Sequence, residues 1–226
     1  MKLSIIVPVY NMAAQDKLVW CLDSLVNQTI PDYEIIAVDD CSTDNSLDIL
    51  REYEKRYPDK FKVMASRVNK RQGGAKNLGL TRAAGEWIGF IDSDDWVTPD
   101  YYEKLLACAE EAGADMAGCD YHLTGEHSME IGQVVPNNKI SQAGVLTKEK
   151  YRSLILDSGS LVVKIYKRHI ILDYPNRFPE NIFYEDNAIS NSWMLRAKKF
   201  GYLPEPLYYY YQHGTSTVHT ITQRRC

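Results

Sequence analysis

No apolar run in this chain approaches the ~20 residues that a helical membrane span needs. Cysteine is sparse. Cys21, Cys41, Cys108, Cys119 and Cys226 are odd in number and none pairs at metal-type spacing. A disulfide framework is therefore not expected, and a reducing compartment, the cytoplasm, is. An excess of positive charge is also missing. Lys and Arg total 26 against 30 Asp and Glu, giving a net charge of -4, and the basic residues are scattered, so there is no nucleic-acid footprint. There is no Walker sequence, and no glycine fingerprint follows the first apolar run. P-loop phosphoryl transfer and dinucleotide binding both lose their usual signatures. We find no internal repeat, linker or low-complexity tract. The first strand begins at Lys2 or Leu3, which leaves no room for a signal peptide.

What is present suits a soluble globular α/β protein. The 226 residues can form one large domain or two small ones, and at this size roughly 70% of the unfolded surface can be buried. Hydrophobic residues make up 45%, enough for a core without staples. Tyrosine is the oddity: there are 16, four of them consecutive at 208–211.

Residues 3–9 (LSIIVPV) form a β-branched run of the kind found in a central parallel strand, expected to end at Pro8, which lacks a ladder donor. An amphipathic helix over 14–28 follows, with Leu18, Cys21, Leu22 and Leu25 at helical spacing. A second strand, 33–38, ends in Asp39-Asp40. Asp44 then caps a helix with Leu47, Leu50 and Tyr53 on one face. After a third strand at 61–65 comes a loop rich in glycine and basic residues, 69–79 (NKRQGGAKNLG), leading into a short helix. The strand at 87–91 stops at Asp92-Ser93-Asp94-Asp95, and Thr98, Pro99 and Asp100 read as N-cap, first helical position and first turn of the next helix. This alternation predicts a doubly wound, mostly parallel sheet flanked by helices, with its ligand crevice at the strands' carboxyl ends. The second half is less regular: a strand at 114–122, a polar mobile-loop segment at 123–144, a helix at 147–156, a strand at 161–166, a helix after Glu185-Asp186-Asn187 with Ile189, Trp193 and Ala197 on one face, and a strand at 208–211.

Three carboxylates packed within four residues repel one another. Two unit charges ~4 Å apart at an effective dielectric of ~20 interact by roughly 4 kcal/mol. A divalent cation with hard oxygen ligands offsets this, and solvated turn carboxylates are the alternative. Tyr10-Asn11, Asp39-Asp40, the glycine-lysine loop and the acid turn all fall at the expected crevice edge. An aromatic ring for a base, a carboxylate for a base N–H or ribose hydroxyl, and a cation bridge for a diphosphate together suit a nucleoside diphosphate.

In this order and spacing, SIIVPVYN, VDDCSTDNS, GGAKNLG, GEWIGFIDSDDW and YEDNA resemble the family 2 glycosyltransferases of the GT-A fold. The likeness is strong through Asp100 and weaker over 101–178. It implies a single GT-A domain, with residues 1–120 as the nucleotide-sugar-binding half and 121–226 as the acceptor-side half carrying the base. It also implies an inverting transfer from a nucleotide-sugar donor, usually UDP-linked, with Mn²⁺ or Mg²⁺. Pro8, Val9, Tyr10 and Asn11 would line the nucleoside pocket, and Asp40 would hold the uracil. Asn69, Lys76 and Asn77 would lie on the donor-contacting loop, where the family often has arginine at position 76. Asp92 would contact ribose or metal and Asp94 would ligate the metal, an Asp-x-Asp pattern. Ser93 and Asp95 would face the donor, and Asp186, beside Glu185, would be the general base. His219 is the further metal-ligand expectation, in a tail where Tyr211 takes the place of the usual arginine. Members commonly continue past this point, so the end at Cys226 reads as a truncation. The acceptor would be a carbohydrate or lipid-linked hydroxyl in polysaccharide or glycolipid assembly, with a peripheral contact at the inner membrane face compatible with the two terminal arginines. No feature speaks to oligomeric state. A non-catalytic nucleotide-sugar-binding module and a sugar nucleotidyltransferase are the competing readings.

Overall fold

A computed structural model describes residues 1–212 apart from 131, 158 and 176. Its centre is β1 (Leu3–Val9), seven residues buried without exception. β1 is hydrogen-bonded on both edges, to β2 (Tyr33–Asp39) and β4 (Trp87–Phe90), both parallel to it. A strand covered on both edges and both faces must be apolar throughout, which is why no alternation shows in LSIIVPV. β3 (Phe61–Ala65) extends this parallel block beyond β2.

Contrary to expectation, β1 runs through Pro8, which pairs in register with Val38. The carbonyl of Ile6 accepts from Ile91 on the β4 side, whereas that of Val9 accepts from Asp40 beyond β2. Alternation along the strand therefore aims the proline nitrogen at β4, past the last β4 partner, Phe90 opposite Ile6. No ladder bond is lost there.

Two helices differ from the sequence reading at their starts. A 3-10 turn (Ala14–Asp16) precedes α1 (Lys17–Val26), which ends two residues short of Gln28. α2 is Ser46–Arg56; Asp44 accepts from the Ser46 and Ala13 amides, tying the helix start to the loop after β1. The larger correction concerns the glycine-lysine segment. It is a helix, α3 (Arg71–Leu80), and the glycines lie inside it. Glycine costs a helix about 1 kcal/mol against alanine, so its use needs a packing reason. At Gly79 a Cβ would stand 2.7 Å from Cγ2 of Ile6, and at Gly73 one would stand 2.1 Å from the Pro179 carbonyl oxygen. The glycines let α3 lie directly on β1 and on the segment before the acidic pair.

After β4 the chain turns at 92–95 into a short strand, β5 (Trp96–Val97), and α4 (Tyr101–Ala112) begins three residues after Thr98, with Asp100 as N-cap. β6 (Met116–Thr124) follows. The stretch 123–144 is built rather than bare: β7 (Gln133–Val135) pairs with β6, a 3-10 turn covers Ile140–Gln142, and β8 (Gly144–Val145) pairs with the last strand. Its order comes from buried amides. Gln142 Oε1 accepts from Asn138 Nδ2 (3.0 Å) and the Lys139 amide (2.9 Å), and Asp120 accepts from the Asn137 amide (2.9 Å). A polar network has no hydrophobic period, so none was visible in the sequence.

α5 (Lys148–Leu156) starts at Thr147, whose hydroxyl accepts from the Lys150 amide. β9 (Lys164–Lys167) lies antiparallel between β4 and β6. After α6 (Arg168–Leu172) comes α7 (Glu185–Met194), then β10 (Lys199–Tyr211), parallel to β6 and antiparallel to β5. The strand order is β3-β2-β1-β4-β9-β6-β10-β5, a mostly parallel sheet among the described residues. α7 is pinned by aromatic packing: Trp193 stacks on Phe90 at 5.8 Å and meets the edge of Phe178 at 5.1 Å. Ile189, Trp193 and Ala197 are all buried, the face that the sequence spacing implied.

Candidate functional site

The carboxyl ends of β1, β2 and β4 open into a cavity of about 760 Å³. Pro8, Val9, Tyr10 and Asn11 line one end, with Asp40 and Asn69 beside them. Asn11 takes a left-handed conformation (φ 53°), which asparagine tolerates, and its Oδ1 accepts from the Thr43 amide at 2.8 Å. The loops after β1 and β2 are thereby locked together. The Lys70 amide donates to both Asp40 carboxylate oxygens (2.9 and 3.1 Å), and Asn69 Nδ2 donates to the Asp40 carbonyl (3.1 Å). Burial raises the Asp40 pKa, opposed by these backbone donors. Tyr10 remains exposed at the rim.

The acid turn lines the same cavity through Asp92, Ser93 and Asp94. The Asp95 amide donates to the Asp92 carbonyl at 3.1 Å and closes the turn. Asp92 Oδ1 is buried and has no hydrogen-bond partner. Burial pushes the Asp92 pKa up to about 6; Lys76 pulls it down, while Asp94, Glu185 and Asp186 push it higher. An orphaned carboxylate oxygen beside a second carboxylate two residues on is the donor chemistry that Mg²⁺ or Mn²⁺ accepts, so the residues fit such an ion. Among the described residues no group of three or more His, Cys, Asp or Glu converges on one point. His219 lies outside the described residues, as does His213.

Asp95 turns away from the cavity. It is fully buried, accepts from the Tyr208 hydroxyl and from the Tyr211 amide (2.9 Å), and is held well above the usual carboxylate range by burial and by Asp94 and Asp92. Its contacts make it the anchor of β10 rather than a cavity-lining group. Removing the hydroxyl with Tyr208→Phe leaves this buried carboxyl short of a donor. We expect unfolding free energy to fall by about 2 kcal/mol in urea denaturation.

The acidic pair opens α7. Tyr184, the N-cap, is left-handed (φ 59°), and the first turn of a helix favours carboxylates. The two side chains have different surroundings. Glu185 is buried and bonded to Lys76, Oε1 to Nζ 2.8 Å, both side chains nearly inaccessible in the cavity wall. Burial lowers the Lys76 pKa, but Asp92 and Glu185 outweigh it, and the ammonium ends above its ordinary value. Asp186 is half-buried and lines the cavity with Lys76 and the acid turn. Asn77 is not among the lining residues; it exchanges hydrogen bonds with the Phe178 backbone (2.8 and 3.0 Å) and clamps α3 to the approach to α7.

Several cavity residues escaped the sequence reading. Tyr121, Tyr208 and Tyr210 form a wall from β6 and β10, Val162 and Val163 lie near it, and Lys17 and Arg71 also contribute. Arg71 lies over the Phe183 ring at 4.0 Å. The only sequence signal for the wall was the tyrosine run; that Tyr208 meets Asp95, 113 positions away, depends on tertiary pairing.

Comparison with known proteins gives this cavity its context. The chain is 32% identical over 219 residues to an uncharacterized glycosyltransferase, YibD, of Escherichia coli, covering 95% of this chain and 62% of that protein. It is 35% identical over 214 residues to a poly(ribitol-phosphate) beta-glucosyltransferase of Bacillus spizizenii, covering 93% and 32% respectively. The chain thus spans less than two thirds of the length of these relatives. The crystal structure of Staphylococcus aureus TarS 1-349 in complex with UDP-GlcNAc superposes with a TM-score of 0.79 at 28% identity, over 96% of this chain and 60% of that one. That match establishes the GT-A fold expected from the sequence. The family model described as glycosyl transferase family 2 matches residues 4–153, a stretch that holds all but the first residue of β1, the Asp40 loop, α3 and the acid turn, and the chain belongs to that family.

Proposed function

We propose that this chain moves a sugar from a UDP-linked donor to an acceptor hydroxyl with inversion at the anomeric carbon. The observation that carries the reading is the placement of the Asp92–Asp94 turn and of Asp186 on one cavity, with the Tyr10–Asp40 pocket at its end. In this reading Tyr10 covers the base, Asp40 accepts from it, and Pro8, Val9, Asn11 and Asn69 shape the nucleoside pocket. Asp92 and Asp94 hold Mn²⁺ or Mg²⁺, and Ser93 lies between them against the donor. When bound, the cation stabilises charge on the departing diphosphate, an effect worth several kcal/mol. Asp186 takes the proton of the acceptor hydroxyl as its oxygen bonds to the anomeric carbon and the bond to UDP breaks. Lys76 and Glu185 hold the base in place, and Asp95 steadies the turn from behind.

The acceptor side would be formed by Tyr121, Tyr210 and the 159–163 segment. The relative from Bacillus spizizenii is named for action on poly(ribitol-phosphate), and a surface-polymer or lipid-linked acceptor at the inner membrane face fits the same pattern. Among the described residues no helix is long and apolar enough to cross a membrane.

Calorimetric titration of UDP with and without Mn²⁺ tests the reading. Binding is expected to depend on the metal, and Asp94→Asn is expected to remove that dependence. Absence of metal-dependent UDP binding by the intact chain overturns the proposal. Release of pyrophosphate from UTP and a sugar phosphate would instead identify a nucleotidyltransferase.

A further inference from the structure

Lys17 is the first residue of α1 and lines the cavity, yet only 5% of it is exposed. It makes no hydrogen bond or ion pair with the described residues. Buried ammonium groups are ordinarily paired, because desolvation penalises the charge. Lys17 differs from the other buried cation of the cavity, Lys76, which is matched to Glu185 at 2.8 Å. Nor is its ammonium sealed, since the nitrogen keeps some exposure.

The helix around it points to the same chemistry. α1 begins after two left-handed residues, Gln15 (φ 62°) and Asp16 (φ 55°). Asp16, the N-cap, is exposed and its side chain caps nothing. The helix start, entered from the 3-10 turn, therefore has no side-chain cap, and its dipole favours negative charge near Lys17. One turn along, Cys21 Sγ lies 3.6 Å from the Asp92 carbonyl, so this face of α1 runs beside the acid turn. Lys17, one turn earlier on that face, lies at the end of the turn's neighbourhood nearest the helix start.

We propose that Lys17, at the start of α1, forms a phosphate-binding subsite within the cavity. An unmatched ammonium at the positive end of a helix suits a phosphate group, whose charge it would offset. Two sources supply that chemistry: the diphosphate of the donor, or a phosphate of the acceptor. The subsite stands on the geometry of Lys17; only the donor as its source rests on the function proposed above.

The test is calorimetric titration of the intact chain and of Lys17→Met with inorganic pyrophosphate, UDP and uridine, each with Mg²⁺ present. Pyrophosphate affinity is expected to fall roughly tenfold or more in Lys17→Met, as for loss of a charged hydrogen-bond partner, and to be largely kept in Lys17→Arg. A matching loss for UDP with uridine unchanged makes the donor diphosphate the occupant. Loss for pyrophosphate alone makes it an acceptor phosphate. Pyrophosphate binding that is equal in Lys17→Met and the native chain, or absent from both, overturns the subsite. Should the native chain bind pyrophosphate but neither UDP nor uridine, the donor reading fails while the subsite stands. Lys17→Gln, checked by its melting temperature, replaces Lys17→Met if the methionine variant does not fold.

Discussion

Asp186→Asn is expected to lower sugar transfer by about 10²- to 10⁴-fold and to leave UDP affinity unchanged. The amide keeps the shape of the carboxylate and its place in the first turn of α7 but cannot take a proton from an attacking hydroxyl. The donor contacts assigned to Tyr10, Asp40, Asp92 and Asp94 lie on other elements, so they should survive. Glu185 cannot stand in for the missing base, because its carboxylate is buried and committed to Lys76 at 2.8 Å. Measuring UDP release in the presence of acceptor, alongside UDP titration, separates the two effects. Transfer that persists in Asp186→Asn would remove the base assignment.

The second large effect concerns stability. Lys76→Met strands the Glu185 carboxylate, 4% exposed, without its cation. Breaking a buried pair from one side costs about 3–5 kcal/mol, mostly through the charge left behind. The double variant Lys76→Met with Glu185→Gln removes that charge, and denaturant titration should show it recovering most of the loss; equal instability of the single and double variants would mean that packing, not charge, is what Lys76 supplies. The sign of the pH dependence follows from the raised Lys76 pKa. The pair's contribution is complete below the ordinary lysine value of 10.5 and is lost as pH rises through the higher folded value. Across the neutral range Lys76 stays protonated.

How much of this was legible in the sequence depends on which force shaped each part. Residues 3–9 stand out as one strand because burial on both faces leaves an unbroken apolar run, although the end expected at Pro8 falls one residue early; 61–65 matches its expected bounds as a partly exposed edge strand. Five of the expected donor-side residues, Tyr10, Asn11, Asp40, Asp92 and Asp94, sit at strand ends, where chain order alone brings them to one edge, and all five line the cavity. Helix α3 was hidden because its glycines answer to close approach by Ile6 and Pro179, and composition cannot distinguish that from a flexible loop. Asn77 carried a site expectation from its motif, yet its hydrogen bonds go to Phe178, 101 positions on. Asp95 was hidden for the same reason: its partners are Tyr208 and Tyr211, and a carboxylate's direction at a turn is decided by what packs behind it.

Strand β9 joins the two halves through main-chain hydrogen bonds on both of its edges, to β4 and to β6. A clamshell motion between the donor and acceptor halves would have to pull one of those ladders apart. The ladders on both edges of β9 therefore oppose a hinge at this point of the sheet, and α7 is fixed to the same frame by side chains, Trp193 on Phe90 and Glu185 on Lys76. The surface segment 180–184 is exposed at the edge of the cavity, with Ile182, Phe183 and Tyr184 lining it. On such a frame, adjustment to a ligand would fall to the exposed rim rather than to the strands beneath the cavity.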